Sequence, residues 1–385
     1  MKKSKGGELP LYLQSADIRR QRLEKQEREV RVKEYVQNYC YNYDFKFRNI
    51  KVLSYKKTNI PYGRGTKRLQ IPNEIRVEMV FDVEQQQVVY ADYIFDKFLQ
   101  AGSFGSVFKF RPKRRDRGIS GIALKIMLSP ITDKDIEERI IPELEVSADI
   151  ELSECKIINS INFELNHPNY SLYPNDENYF IYLDNESRIA LSIVAMPLAD
   201  GDIFDILGNL KMKQKKKIFL YVVQTLLCVI QKNRLLYPDI KLEQILFMNC
   251  NFPDGTRKLI FIVADLGGFQ TPFSYPVHTN SPSSQYINGN KLNSLELSLY
   301  PVAALWHDLF SHEASKKKLD LYSPNNKFGL ISDLELNQLV EINLGRVTGL
   351  EQQREIVKEL LIKPDFKNTN FEKVTLYLSK LLSSS

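Results

Sequence analysis

Hydrophobic and polar positions alternate along residues 47–90, as in Ile75-Arg76-Val77-Glu78-Met79, and Pro61-Tyr62-Gly63-Arg64-Gly65 breaks the pattern with a turn. This predicts a β-rich extension. From Tyr93 the chain reads as strand, glycine turn and strand, and another apolar strand surrounds Lys125. Tyr179–Leu183 and Ile189–Met196 predict two further strands across Asp184-Asn185-Glu186. Residues 213–236 then carry apolar positions at helical spacing. Ile245–Met248, a turn containing Pro253-Asp254-Gly255, and Leu259–Val263 form a hairpin signal. Helical patterns return at 332–344, 350–362 and 371–383. Residues 16–43 are rich in charged helix formers with few apolar positions, which predicts either a solvated helix or an arm that a partner covers.

Composition narrows the class. The chain has 385 residues, 43% of them hydrophobic and 26% charged, as in an ordinary globular protein. A net charge of +6 is a mild bias, so no nucleic-acid partner is expected. No apolar run approaches the roughly 18 residues of a membrane helix, so no membrane association is expected. The lysine-rich N-terminus lacks the apolar core of a secretory signal. Cys40, Cys155, Cys228 and Cys250 form no Cys-x-x-Cys pair and read as buried or free thiols of a reducing compartment. The four histidines form no ligand pattern. The expected location is the cytosol or an assembly bathed by it.

Candidate chemistry concentrates in residues 234–268. Asp239 and Asp265 each follow an apolar run at the two ends of the hairpin, and Lys241 stands two positions after the first. Rigid strands that end in carboxylates can hold two charges a few ångströms apart, one orienting a hydroxyl and the other a metal on a triphosphate. Upstream, Gly102-Ser103-Phe104-Gly105-Ser106-Val107 is a glycine turn whose backbone N–H groups can approach phosphate oxygens that a Cβ would obstruct. Lys125, in Gly121-Ile122-Ala123-Leu124-Lys125, is an ammonium inside an apolar strand and requires a compensating partner.

Together these pieces resemble the eukaryotic protein kinase family: glycine-rich loop, strand lysine, Tyr237-Pro238-Asp239-Ile240-Lys241-Leu242-Glu243-Gln244 as catalytic loop, and Asp265-Leu266-Gly267 as metal-binding loop. The resemblance covers roughly residues 90–385. It implies an α+β, two-lobed kinase-like fold: a basic helical arm (1–43), a β-rich extension packed on the small lobe (44–90), a small lobe (91–196) and a mainly helical large lobe (197–385). It implies ATP and Mg2+, or Mn2+, as cofactors. Gly102, Phe104, Gly105, Val107 and Ala123 would cover the nucleotide, and Leu198 would offer an adenine-reading N–H beyond a small gatekeeper, Ala195. Asp202 would reach the ribose. Lys125 would fix the α- and β-phosphates and pair with a helix glutamate, Glu154 in preference to Glu145. Asp239 would orient the acceptor hydroxyl, Lys241 would neutralise the transferring phosphoryl group, and Asp265 and Gln244 would hold metal. Lys241 at that spacing matches the serine/threonine branch.

The chain departs from the family pattern in several places. Gln100 stands for the first glycine, Pro238 for an arginine, Gln244 for an asparagine, Ser281-Pro282-Ser283 for Ala-Pro-Glu, and Ser298 for an aspartate. Two functions follow: a divergent serine/threonine kinase acting on a protein substrate, or a pseudokinase serving a protein partner as scaffold or allosteric subunit. Residues 16–43 are the candidate docking element.

Overall fold

The computed structural model describes residues 46–80, 88–102, 105–114, 121–148, 155–174, 179–238, 240–251, 257–273, 292–310, 344, 347–362 and 368–383. The expected arm, and the helix at 332–343, lie outside them.

The alternating residues 47–90 become long antiparallel strands. β1 (Lys46–Tyr62) and β2 (Gly65–Val80) close at Gly63, whose φ of +59° is the left-handed conformation that glycine adopts at little steric cost. β3 (Val88–Ala101) pairs with β2 and then with β4 (Gly105–Pro112), so the extension and the glycine-turn strands share one sheet. β5 (Ile122–Pro130) carries Lys125 and pairs with β9 (Ile189–Pro197). β8 (Tyr182–Asp184) and β7 (Tyr170–Leu172) extend the sheet beyond β9, while β6 (Ile161–Asn162) pairs with β9 off that path.

This nine-stranded sheet curls until its two ends meet. The Tyr170 hydroxyl donates to the Gln70 carbonyl, and the Tyr55 and His167 rings meet edge-on at 4.7 Å. Inside the curl lies an apolar cluster that includes Ile60, Ile75, Tyr93, Phe110, Ile122 and Leu124. Strand alternation sends Ala123 and Met127 to the opposite face, into a second and larger cluster.

Two short helices on that second face, α1 (Asp133–Arg139) and α2 (Ile141–Ala148), follow β5. Thr132 caps α1 by accepting the Asp135 N–H at 3.1 Å. After β9 come β10 (Gly201–Asp202), α3 (Ile203–Ile206) and the long helix α4 (Met212–Asn233). Helix α4 ends where Arg234 turns left-handed at φ 55°. The hairpin expected next is β11 (Ile245–Asn251) with β12 (Arg257–Val263), and β10 joins it as a third strand. Then follow α5 (Ser294–Leu297), α6 (Tyr300–Phe310), α7 (Glu351–Ile362) and α8 (Phe371–Ser383). Trp306 of α6 is fully buried, with its ring perpendicular to Phe219 of α4 at 4.9 Å.

The free-thiol expectation is overturned. Cys155 and Cys228 form a disulfide with Cα atoms 5.5 Å apart, and Cys250 is disulfide-bonded as well. The segment after Cys155 pairs with β12 through the Ile158 N–H and the Val263 carbonyl, which lays it against α4 and its Cys228. Cysteines 73 residues apart meet through that packing, which spacing in the sequence does not reveal.

Candidate functional site

Lys125 points from the middle of β5 to the face it shares with Val107 and Ala123, its side chain only 14% exposed. Its ammonium lies 2.6 Å from Glu143 Oε2 and 2.7 Å from Asp265 Oδ1. Burial opposes the charge on Lys125, but the two carboxylates outweigh it and raise its pKa. An unpaired ammonium at this depth would cost several kcal/mol, on the order of what breaking a buried pair costs.

The helix partner is Glu143, and this corrects the assignment to Glu154 or Glu145. Pro142 sits in the first turn of α2, where its missing N–H breaks no helical bond. Glu143 follows it and faces inward, while Glu145, two positions on, lies on the solvent side. Glu154 lies outside the described residues. Glu143 also accepts the Gly267 N–H at 3.1 Å, and a Cβ on Gly267 would stand 3.0 Å from the same carboxylate oxygen. Its other oxygen, Oε1, is buried with no hydrogen-bond partner. Burial pushes the Glu143 carboxyl up; Lys125 opposes the shift and the nearby Asp265 adds to it.

Asp265 follows β12 with a left-handed backbone, φ 61°, which costs a non-glycine residue about 1 kcal/mol. Burial disfavours its charge, but the Lys125 ammonium and hydrogen bonds from Lys125 and Gln244 outweigh that and hold the carboxyl down at about 2. The backbone is fixed from below by Tyr237. The tyrosine hydroxyl donates to the carbonyls of Ala264 at 2.9 Å and Asp265 at 3.0 Å, and its ring stacks on Phe269 at 4.5 Å. Gly268 makes room for that ring, since a Cβ there would lie 1.7 Å from Tyr237 Cε2. Neither Glu143, Tyr237 nor Gly268 stood out in the sequence. The usable signals were the Gly267-Gly268 doublet and an aromatic ring two residues before Asp239.

Gln244 is almost fully buried and its orientation is set by its neighbours. The Lys241 N–H can only donate, so the amide oxygen faces it at 3.0 Å. The amide nitrogen therefore faces Asp265 Oδ2 at 3.2 Å. That nitrogen is a donor and not a metal ligand, so the amide oxygen, which already accepts from Lys241, is the atom of Gln244 left to meet a metal. Asp265 fits better: its side chain is 46% exposed and each carboxylate oxygen keeps acceptor capacity beyond one hydrogen bond. Among the described residues no group of three or more His, Cys, Asp or Glu side chains could hold a metal. A magnesium ion carried in by a phosphate needs only one or two protein carboxylates.

The other sequence-predicted residues sit as follows. Gly102 donates its N–H to the Gly105 carbonyl at 2.8 Å, and a Cβ on it would meet only that oxygen, 3.9 Å away. Gly105 is required by packing, because a Cβ would come within 2.7 Å of the Ile126 carbonyl oxygen. The Leu198 N–H, expected to face a ligand, donates instead to the Gly121 carbonyl at 3.3 Å, because the chain leaving β9 runs back beside the start of β5. Ala195 is fully buried within the curl of the sheet. Asp202 caps α3 by accepting the Asp205 N–H at 3.0 Å, and burial raises its pKa. The charge of Lys241 lowers the Asp265 pKa. Phe104, Asp239 and residues 281–283 lie outside the described residues.

No protein-family model and no curated protein matches the chain. Among solved structures it is similar to the Cydia pomonella granulovirus kinase PK-1, at 17% identity and a TM-score of 0.42, over 73% of this chain and 92% of that one. It is also similar to a Plasmodium kinase domain at 12% identity and a TM-score of 0.40, over 75% of this chain and 95% of that one. None of the described helices is long and apolar enough to cross a membrane.

Proposed function

We propose that the chain is a divergent protein kinase that binds ATP with a divalent cation and transfers the γ-phosphoryl group to serine or threonine hydroxyls of a protein substrate. The observation that carries this reading is the junction of Lys125, Glu143 and Asp265. It brings together a strand lysine, the glutamate of a helix that follows it, and the aspartate of the expected metal loop 140 residues on.

In this reading Glu143 orients Lys125 and keeps it charged, so the ammonium is placed to meet phosphate oxygens once nucleotide separates it from Asp265. Asp265 is the residue that would hold Mg2+, which when bound would neutralise charge on the β- and γ-phosphates. Tyr237 and Gly268 fix the backbone from which Asp265 projects. Asp239 orients the acceptor hydroxyl, and Lys241 lies on the same loop to offset charge at the transferring group. The work is positioning and electrostatics on rigid strands.

A pseudokinase is the second reading, and the side chain of Gln244 favours it. Its amide oxygen faces a backbone N–H and its nitrogen, a donor, is the atom turned toward Asp265, an orientation that supports weaker metal binding at the second position.

The deciding experiment is γ-phosphate transfer from ATP with Mg2+ or Mn2+, comparing wild type with Asp239→Asn, and ATP binding comparing wild type with Lys125→Met. Transfer by the wild type alone supports the kinase. Binding without transfer supports the pseudokinase. Absence of both removes the nucleotide reading.

A further inference from the structure

One nucleobase is told from another by the donors and acceptors on its edge. A site that hydrogen-bonds such a group rejects an analogue lacking it by about 10⁴-fold or more, whereas apolar contact discriminates far less. The chain leaving β9, Met196-Pro197-Leu198-Ala199, is where a base-reading group was expected. All four side chains are apolar, so only the backbone there could read a base.

That backbone is already paired with the protein. In an antiparallel pair, residues two apart turn their N–H and C=O groups to the same edge. Met196 stands opposite Ala123 of β5, and Pro197, which has no N–H, stands opposite Ile122. Leu198 continues this ladder by one step, its N–H donating to the Gly121 carbonyl at 3.3 Å. The start of β5 therefore fills the edge along which a base would lie. Gly121 is the residue that allows it: a Cβ there would stand 2.8 Å from the Phe110 carbonyl oxygen and 2.9 Å from Leu198 Cδ2. Two residues on, the Asp200 N–H donates to the Phe247 carbonyl at 3.0 Å, and the Asp200 carboxylate accepts the Asn249 N–H at 2.7 Å. The turn out of β9 is thus held from both sides, by β5 and by β11.

The charged groups of the site lie elsewhere. Lys125 and Asp265 meet at 2.7 Å, and both carry chemistry suited to phosphate oxygens and a cation rather than to a base. Val107 and Ala123, on the same face as Lys125, offer a base apolar contact that does not depend on its edge groups.

We propose that the chain selects its cosubstrate by the triphosphate and its cation and leaves the base edge in water, so that it takes GTP as readily as ATP. This rests on the nucleotide reading above and deepens it, since it concerns which nucleotides the same site accepts. Gly121 is its specificity-determining residue, because its missing side chain lets β5 close on Leu198.

The test is calorimetry of the full chain with the Mg2+ complexes of ATP, GTP and 1-deaza-ATP, in which a CH group replaces the N1 acceptor of adenine. The expected result is dissociation constants that differ by less than about tenfold, or ~1.4 kcal/mol. Amide exchange at Leu198 gives a readout independent of affinity: exchange should be slow before nucleotide is added and unchanged afterwards. ATP binding at least about tenfold tighter than GTP or 1-deaza-ATP would overturn the inference and leave the kinase reading standing. So would a Leu198 amide that exchanges fast in the free protein and slows with ATP, because the N–H would then be released to the base. Failure of all three nucleotides to bind would remove the nucleotide reading and this inference with it.

Discussion

Asp265 combines three properties that rarely meet on one side chain: a left-handed backbone, substantial exposure, and a carboxyl held near pH 2. Its folded-state pKa lies below the unfolded value, so its contribution to stability is present above about pH 4 and is lost as pH falls toward about 2. Urea unfolding across that window should show the loss, and Asp265→Asn should flatten that part of the profile. The glycines make a second residue-scale prediction. Gly268→Ala forces a methyl group into the Tyr237 ring and should cost about 3 kcal/mol or more. Gly102→Ala makes only an ordinary contact with the Gly105 carbonyl oxygen, 3.9 Å away, and should change stability by under about 0.5 kcal/mol in the same measurement. Tyr237→Phe keeps the ring and its stacking but removes the donor to two carbonyls. It should cost about 1 kcal/mol and disturb the Asp265 backbone, which amide exchange at Gly267 and Gly268 would report.

At the scale of elements, the alternating pattern of residues 47–90 and the helical spacing of 213–236 were legible because each records which face is buried. The helix patterns at 350–362 and 371–383 match α7 and α8 for the same reason. The helix glutamate was not legible. Several glutamates follow β5, and the choice among them depends on which turn of α2 faces the sheet. Pro142 starts that helix and puts Glu143 inward, a register that one sequence shows only after the helix start is known. The Cys155–Cys228 bridge ties the segment before β6 to α4, beside the strand that leads to Asp265. Cys155→Ser should lower unfolding free energy by about 2–4 kcal/mol, read by chemical denaturation, because it releases a long closed loop. Reductant should bring the wild type down toward the variant.

Across the whole molecule, a curled sheet with a network of charges on its outer face positions the candidate site. Lys125 comes from the sheet, Glu143 from a helix on it, and Asp265 from the hairpin β11–β12. Lys125→Met should leave Glu143 and Asp265 facing each other without the cation between them, and on the proposed kinase reading it should abolish ATP binding in calorimetry.

The sequence by itself determined the strands and helices with strong periodicity, the order of the glycine turn, Lys125, Asp239 and Asp265, and the apolar setting that made an unpaired lysine implausible. These depend on local patterns: which side of a strand or helix is buried, and which residue types can end it. Only the tertiary structure decided that Glu143 meets Lys125, that Gln244 turns its nitrogen toward Asp265, that Cys155 meets Cys228, and that Tyr237 needs Gly268 beneath it. Each of these is a contact between different elements, where partner and orientation follow from packing and from which hydrogen-bond donors remain to be satisfied.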